Sequence, residues 1–156
     1  MTNLKITAEP GRQDVLISRE FDAPRELVFR AYTEPELVKK WWGFDAKEIT
    51  LEAFEPRRGG QWHFVQHTEE GSYGFYGVFH TVRAPEEITQ TFEFDGFPGH
   101  VLLETFTFED LGNGRTLLKD FSVFQSVEDR DGMIESGMEQ GSEVSWNRLA
   151  DLLKTL

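Results

Sequence analysis

The chain has 156 residues, with 28 acidic against 16 basic side chains and a net charge of −12; this argues against a nucleic-acid binder and an anionic membrane surface. It has no cysteine, which excludes disulfides, thiolate metal sites and cysteine nucleophiles. Its 14 Phe, 4 Trp and 3 Tyr, within a hydrophobic share of 38%, can build a core without staples, and the same rings can wall a ligand pocket.

Residues 1–12 are polar and end in Pro10-Gly11, which predicts a loosely held arm ahead of a single domain over 13–156. Asp14–Phe21 sets Val15, Ile17 and Arg19 on one face and Leu16, Ser18 and Glu20 on the other, as a strand does. Asp22 as a cap and Pro24 in the first turn then open a helix whose stripe is Leu27, Val28 and Ala31, with Phe29 and Tyr32 beside it. "TEPE" at Thr33–Glu36 reads as a capping box and opens a second short helix that stops at Gly43. On it Leu37–Trp41 and Val38–Trp42 are i, i+4 neighbours, so each of two adjacent indoles extends its own apolar row. The pair of helices is not basic enough to resemble a DNA-binding helix-turn-helix.

Alternation broken by turn signals follows, predicting strands at Lys47–Glu55, Gln61–His67, Gly74–Val82, Ile88–Phe94, Val101–Glu109 and Thr116–Phe124. "PRRGG", "EEGS", "APEE", "DGFPG" and "LGNG" punctuate them. After Gln125 a helical period returns, with Trp146, Leu149, Ala150, Leu152 and Leu153 as a broad apolar face. Gly132, Gly137 and Gly141 weaken its first half, so the helix is expected from near Gly141 after an irregular segment. The fold expected is α+β: a seven-stranded curved antiparallel sheet wrapped round one long C-terminal helix, with two short helices between strands 1 and 2. Any gap left between sheet and helix is the candidate site.

"REFDAPRELVFRAYTEPELVKKWWG" at 19–43 resembles the opening of the START-like, or SRPBCC, superfamily. More narrowly, it is similar to the bacterial branch related to the C-terminal domain of the heat-shock-protein-90 ATPase activator. "EPRRGGQWHF" (Glu55–Phe64), "GVF" and "PEEITQTF" (Gly77–Phe92), "ETFTFEDLGNGRTLL" (Glu104–Leu118) and "SWNRLADLL" (Ser145–Leu153) agree in order, and the resemblance spans about residues 13–154. It implies a helix-grip fold with a hydrophobic cavity under the last helix. Similar domains bind lipids and polyketides, act as cyclases or resistance proteins, or serve as co-chaperones, so the resemblance leaves function open.

The cavity lining expected from these residues is Trp41, Trp62, Phe64, Tyr73, Tyr76, Phe106, Phe108 and Trp146, with the tyrosines and Trp62 offering polar atoms. The wider aromatic set adds Trp42, Phe44, Phe75, Phe79, Phe92, Phe121 and Met138, most of it solid core. Glu104 shares its strand face with Leu102, Phe106 and Phe108. A carboxylate there either has a raised pKa and acts as an acid or base, or Leu103, Thr105 and Thr107 face inward locally instead, or Glu104 sits near a strand end and reaches water. Asp120, between Leu118 and Ser122, is the same kind of case with weaker flanks. His100, after the "DGFPG" loop, is the other weak catalytic candidate.

His63 and His67 share one strand face about 13 Å apart, too far for one metal ion, and alternate with Trp62, Phe64 and Gln66. They are expected to be exposed, and no metal or other cofactor is expected. No P-loop, G-x-S-x-G or G-x-G-x-x-G occurs. No apolar run reaches signal-peptide or membrane-spanning length, which predicts a cytoplasmic protein without stable membrane insertion. The leading function is binding of an apolar small molecule, a lipid, polyketide-like ring or aromatic metabolite, by a monomer or weak homodimer. An enzyme using Glu104 or His100 in the same cavity, and a module contacting a chaperone, are the alternatives.

Overall fold

A computed structural model describes residues 3–43 and 48–156 of the chain. Phe44 of the expected aromatic set, and Lys47 at the start of an expected strand, lie outside the described residues. The order is β1 (Lys5–Thr7), β2 (Asp14–Phe21), α1 (Arg25–Thr33), α2 (Pro35–Trp41), β3 (Glu48–Phe54), β4 (Gln61–Thr68), β5 (Gly71–Arg83), β6 (Glu87–Phe94), β7 (Val101–Gly112), β8 (Arg115–Val123), α3 (Val127–Glu135) and α4 (Met138–Leu153). The strands form one antiparallel sheet in the order β1-β2-β8-β7-β6-β5-β4-β3.

The described strands number eight, not seven, because Lys5–Thr7, within the segment expected to be a loose arm, adds an edge strand to β2. Three residues are too few for alternation to register in sequence. The same segment is tied down further along: the buried Arg130 guanidinium donates through Nη1 to the carbonyls of Glu9 (2.9 Å) and Asp14 (3.1 Å). β3 to β8 run as a meander, and β8 returns to pair along the whole length of β2, from Asp14↔Val123 to Phe21↔Thr116.

Side chains alternate across the sheet, so one face collects Val15 and Ile17 from β2, Leu118 and Asp120 from β8 and Leu102, Phe106 and Phe108 from β7. Ile88 from β6 and Trp62, Phe64 and Gln66 from β4 join them, all buried. His63 and His67 fall on the opposite face and are half-buried. α4 covers the inner face. Its C-terminal residues Leu149, Leu152 and Leu153 are buried in a solid core with Val28 and Phe29. Phe21 meets Trp146 edge-on at 5.9 Å, and Phe29 meets Phe108 at 5.2 Å.

The helix boundaries differ from expectation in four places. Pro24, rather than Asp22, is the N-cap of α1, without a side-chain cap bond. Glu34, not Thr33, is the N-cap of α2, without a side-chain cap bond; Thr33 still belongs to α1 and its hydroxyl donates to the Phe29 carbonyl at 3.0 Å. The chain leaves helical geometry at Trp42 (φ −69°, ψ 143°), so Trp42 does not extend a row from Val38. The segment before Gly141 is helical: α3 begins where Ser126 Oγ accepts the Asp129 N–H, and α4 starts at Met138. The break between them is Gly137, whose φ of 102° is a left-handed conformation that suits glycine.

Candidate functional site

Between α4, the end of α2 and strands β4 to β8 lies a cavity of about 480 Å³, within the range of small-molecule sites. The reason it is hollow can be followed along α4. The residues this helix turns to the space in its first half are Met138, Gly141, Ser142 and Ser145, three of them small, whereas Leu149, Leu152 and Leu153 of the second half are buried in the core. A helix with small side chains at one end and branched ones at the other holds the sheet at one distance and packs only half of it.

The walls are aromatic. Trp41 is buried, and its Nε1 donates to the Ala31 carbonyl at 2.8 Å, which fixes the indole against α1. One residue later the extended backbone of Trp42 swings the second indole over the sheet, where it meets Phe64 at 5.0 Å, Phe75 at 5.3 Å and Trp62 at 6.2 Å, each edge-on. Both indoles therefore line one cavity, because the helix ends between them. Gly43 has a φ of 97°, and its carbonyl accepts from Ser145 Oγ (2.7 Å) and Arg148 Nη1 (3.2 Å) of α4.

Set in this apolar wall is one polar cluster. Glu104 of β7 and Asp120 of β8 both face the hollow, with Tyr32 of α1 and Gln90 of β6 beside them. Gln90 Nε2 donates to Glu104 at 3.3 Å, Ser122 Oγ donates to Asp120 at 3.2 Å, and Trp146 Nε1 donates to the Tyr32 hydroxyl at 3.0 Å. Burial, the negative charge of Asp120 and a hydrogen bond to it together hold the Glu104 carboxyl well above the ordinary carboxylate range. Burial likewise pushes Asp120 up to about 6, against bonds from Glu104 and Ser122 that hold it down. Glu104 is not fully buried, but it borders the cavity. Desolvation therefore governs its ionisation. The same burial, with Asp120 nearby, raises the Tyr32 phenol far above its usual value. The bond between the two carboxyls raises Glu104 and lowers Asp120, the arrangement of a Glu104 hydroxyl donating to an ionised Asp120.

Of the residues expected in the lining, Trp41, Trp62, Phe64, Tyr73, Phe106 and Trp146 border the cavity. Tyr76 does not: it pairs with His63 across β4 and β5 on the outer face, meets that ring edge-on at 5.8 Å, and bonds Glu93. Phe108 is in the solid half of the core, between Phe29 and Tyr32. His100 is at the surface, stacked on Phe97 at 3.7 Å and bonded to Asp129 at 2.9 Å, away from the cavity lining. It has no geometry for acting on a bound molecule. Glu104 is three residues in from the start of β7 at Val101, and it borders the cavity.

Gln90 and Tyr32 were not singled out for the site from sequence. Gln90 carries the inward parity of Ile88 and Phe92 on β6, so alternation alone could have placed it. Tyr32 lacks any such local signal. Among the described residues no group of His, Cys, Asp or Glu has the arrangement of a metal site, and no helix is long and apolar enough to cross a membrane.

The fold is shared widely among bacterial proteins of known structure. A protein from Rhodobacter sphaeroides is 24% identical and superimposes with a TM-score of 0.89, over 99% of this chain and 100% of its own. One from Arthrobacter aurescens is 24% identical with a TM-score of 0.86 (97% and 92%). CalU16 from Micromonospora echinospora is 19% identical with a TM-score of 0.65 (98% and 85%). At these identities the likeness establishes the fold alone. Among curated proteins no match is found. The sequence model for "Activator of Hsp90 ATPase homolog 1-like protein" matches residues 22–154, from the loop before α1 through α4, and the chain belongs to that family.

Proposed function

We propose that the protein binds a hydrophobic small molecule, a lipid, polyketide-like ring or aromatic metabolite, between the sheet and the C-terminal helix. The observation that carries this reading is the cavity itself: about 480 Å³ of space, walled by Trp, Phe and Met side chains, with one convergent polar cluster. Such a void forfeits packing contacts and lowers stability. The small residues of α4 that keep it open therefore favour a guest over a packing defect.

All four tryptophans of the chain border the cavity, so intrinsic fluorescence reports on its contents. Titration with an apolar and aromatic compound library is expected to shift the emission and raise Tm for a subset. Ser142→Phe, which places a ring in the cavity from α4, is expected to weaken those compounds at least tenfold while leaving a cooperative unfolding transition. A library that moves neither emission nor Tm overturns the reading.

A second reading, turnover of the bound molecule, is favoured by Glu104 and Asp120. Two interior carboxyls with separated pKa values can deliver and accept a proton at a molecule held beside them. Conversion of a bound compound by the wild-type chain, lost in Glu104→Gln and Asp120→Asn, would support it. Unchanged ligand after prolonged incubation would reject it.

A further inference from the structure

The charged groups around the cavity are all of one sign. Among the described lining residues there are three carboxylates, Glu70, Glu104 and Asp120, and no Lys, Arg or His. Basic side chains on neighbouring elements are directed elsewhere. Arg19 of β2 donates to Asn147 of α4 and lies over the Phe21 ring. Arg148 donates to the Gly43 carbonyl, and Arg130 donates to Glu9 and Asp14. The Glu104–Asp120 pair is thus a buried negative charge without an internal counter-ion among these groups. A buried charge of this kind is costly unless something compensates it. The remaining wall includes the aromatic rings of Tyr32, Trp42, Trp62 and Phe75, and the negative quadrupole of such rings attracts cations.

We propose that the cavity takes an organic cation, an apolar ring-bearing body with one protonated amine, and that the ammonium group sits against the Glu104–Asp120 pair. This deepens the small-molecule reading and rests on it. The apolar body fills the space between the indoles and the small face of α4. The amine supplies the positive charge that the site lacks and donates hydrogen bonds to carboxylate oxygens and to the Tyr32 hydroxyl. A ligand carboxylate would meet like charge here and is excluded by the same geometry. The exposed Glu70 at the open end of the cavity adds a negative charge along the approach.

The pair also makes binding depend on pH. The groups facing it are Tyr32 from α1, Gln90 from β6, Ser122 from β8 and Trp146 from α4; from β2, Arg19 turns to Asn147, with Asp151 and Glu143 as its charged neighbours. Among these the Asp120 carboxyl, pushed up to about 6, changes charge close to neutrality. As pH falls through the Asp120 value the pair becomes neutral, and an ammonium ion loses its partner.

The test uses three probes that share one body: phenylbutylamine, phenylbutanol and phenylbutanoate, titrated into the full chain by calorimetry and Trp fluorescence. At pH 7.5 the amine is expected to bind at least tenfold more tightly than the alcohol, with the carboxylate weakest. Asp120→Asn is expected to cut the amine preference at least fivefold, whereas Glu104→Gln, which keeps a neutral donor beside Asp120, is expected to retain it. Should Asp120→Asn lack a cooperative thermal transition, the wild-type pH series decides. There the amine-to-alcohol ratio is expected to fall at least threefold between pH 7.5 and 5. The proposal is overturned if the alcohol or the carboxylate equals the amine, if the ratio is flat with pH, or if the preference survives in folded Asp120→Asn. If none of the three probes binds while neutral library compounds do, the cation proposal falls and the small-molecule reading stands. If no apolar compound binds at all, both fall.

Discussion

At the scale of single residues, the Glu104–Asp120 pair links the site to stability. Asp120 titrates near 6 in the folded chain against an ordinary 3.8, and Glu104 also lies well above its usual range. The folded state therefore retains protons that the unfolded chain releases. The stability contributed by the protonated pair is complete below the unfolded values. It declines as pH rises through about 6 for Asp120, and Glu104 carries the loss to higher pH. Asp120→Asn, which keeps an acceptor for Ser122 and removes the charge, is expected to stabilise the protein at pH 7.5 by on the order of 1 kcal/mol. That gain should shrink towards pH 4, as read from urea unfolding across a pH series. A gain that does not vary with pH would mean the pair is not the source. How far such residues were legible follows from their reach. Alternation placed Glu104 on an aromatic face, but its burial depends on α4 and α1, which come from the two far ends of the chain. Tyr32 stayed hidden because its role rests on Trp146, over a hundred residues away.

At the scale of elements, the end of α2 decides the shape of the wall. The heptad-like reading of Leu37, Val38, Trp41 and Trp42 assumed that helical geometry continued to Gly43. A single residue of extended backbone instead turns Trp42 into the same hollow as Trp41. Sequence patterns locate a helix end only to within a residue or two, and here one residue is the difference between two rows and one cavity. Gly43 fixes that exit. Its φ is 97°, and a Cβ there would stand 2.6 Å from Gln66 Oε1. Gly43→Ala is therefore expected to cost about 1–3 kcal/mol and to weaken ligand binding, because the carbonyl that anchors Ser145 and Arg148 would move. Wild-type midpoints in urea would contradict this. Most of the long strands, by contrast, were readable to within a residue: β2 over Asp14–Phe21 has the expected bounds, since one buried face imposes strict alternation, whereas β5 starts three residues earlier and β7 runs three further than expected. The Gly and Ser residues of α4 looked like weak helix formers. Their purpose is visible only once the sheet they face is in place.

At the scale of the whole molecule, the net charge of −12 acts at a distance. A cationic probe approaches an attractive surface and an anionic one a repulsive surface, so association should respond to salt. Stopped-flow measurement with phenylbutylamine is expected to show the association rate falling several-fold between about 20 and 500 mM salt, at a much less affected dissociation rate. Phenylbutanol should show little change. Equal salt responses for the two would place the steering elsewhere.

The ladder between β2 and β8 has a consequence in time. It joins Asp14–Phe21 to Thr116–Val123, so the first long strand stays without this partner until the last strand has been made. Contacts this distant in sequence carry a high loop-closure cost and slow the search for the native state. While the chain is being synthesised, the meander from β3 to β8 can assemble early, with its aromatic face uncovered. Closure by β2, and then by α4 as the final element to emerge, is what first gives the molecule an inside. The chamber is therefore completed last, and a nascent chain that pauses before α4 presents its ring-lined face to whatever else is in solution.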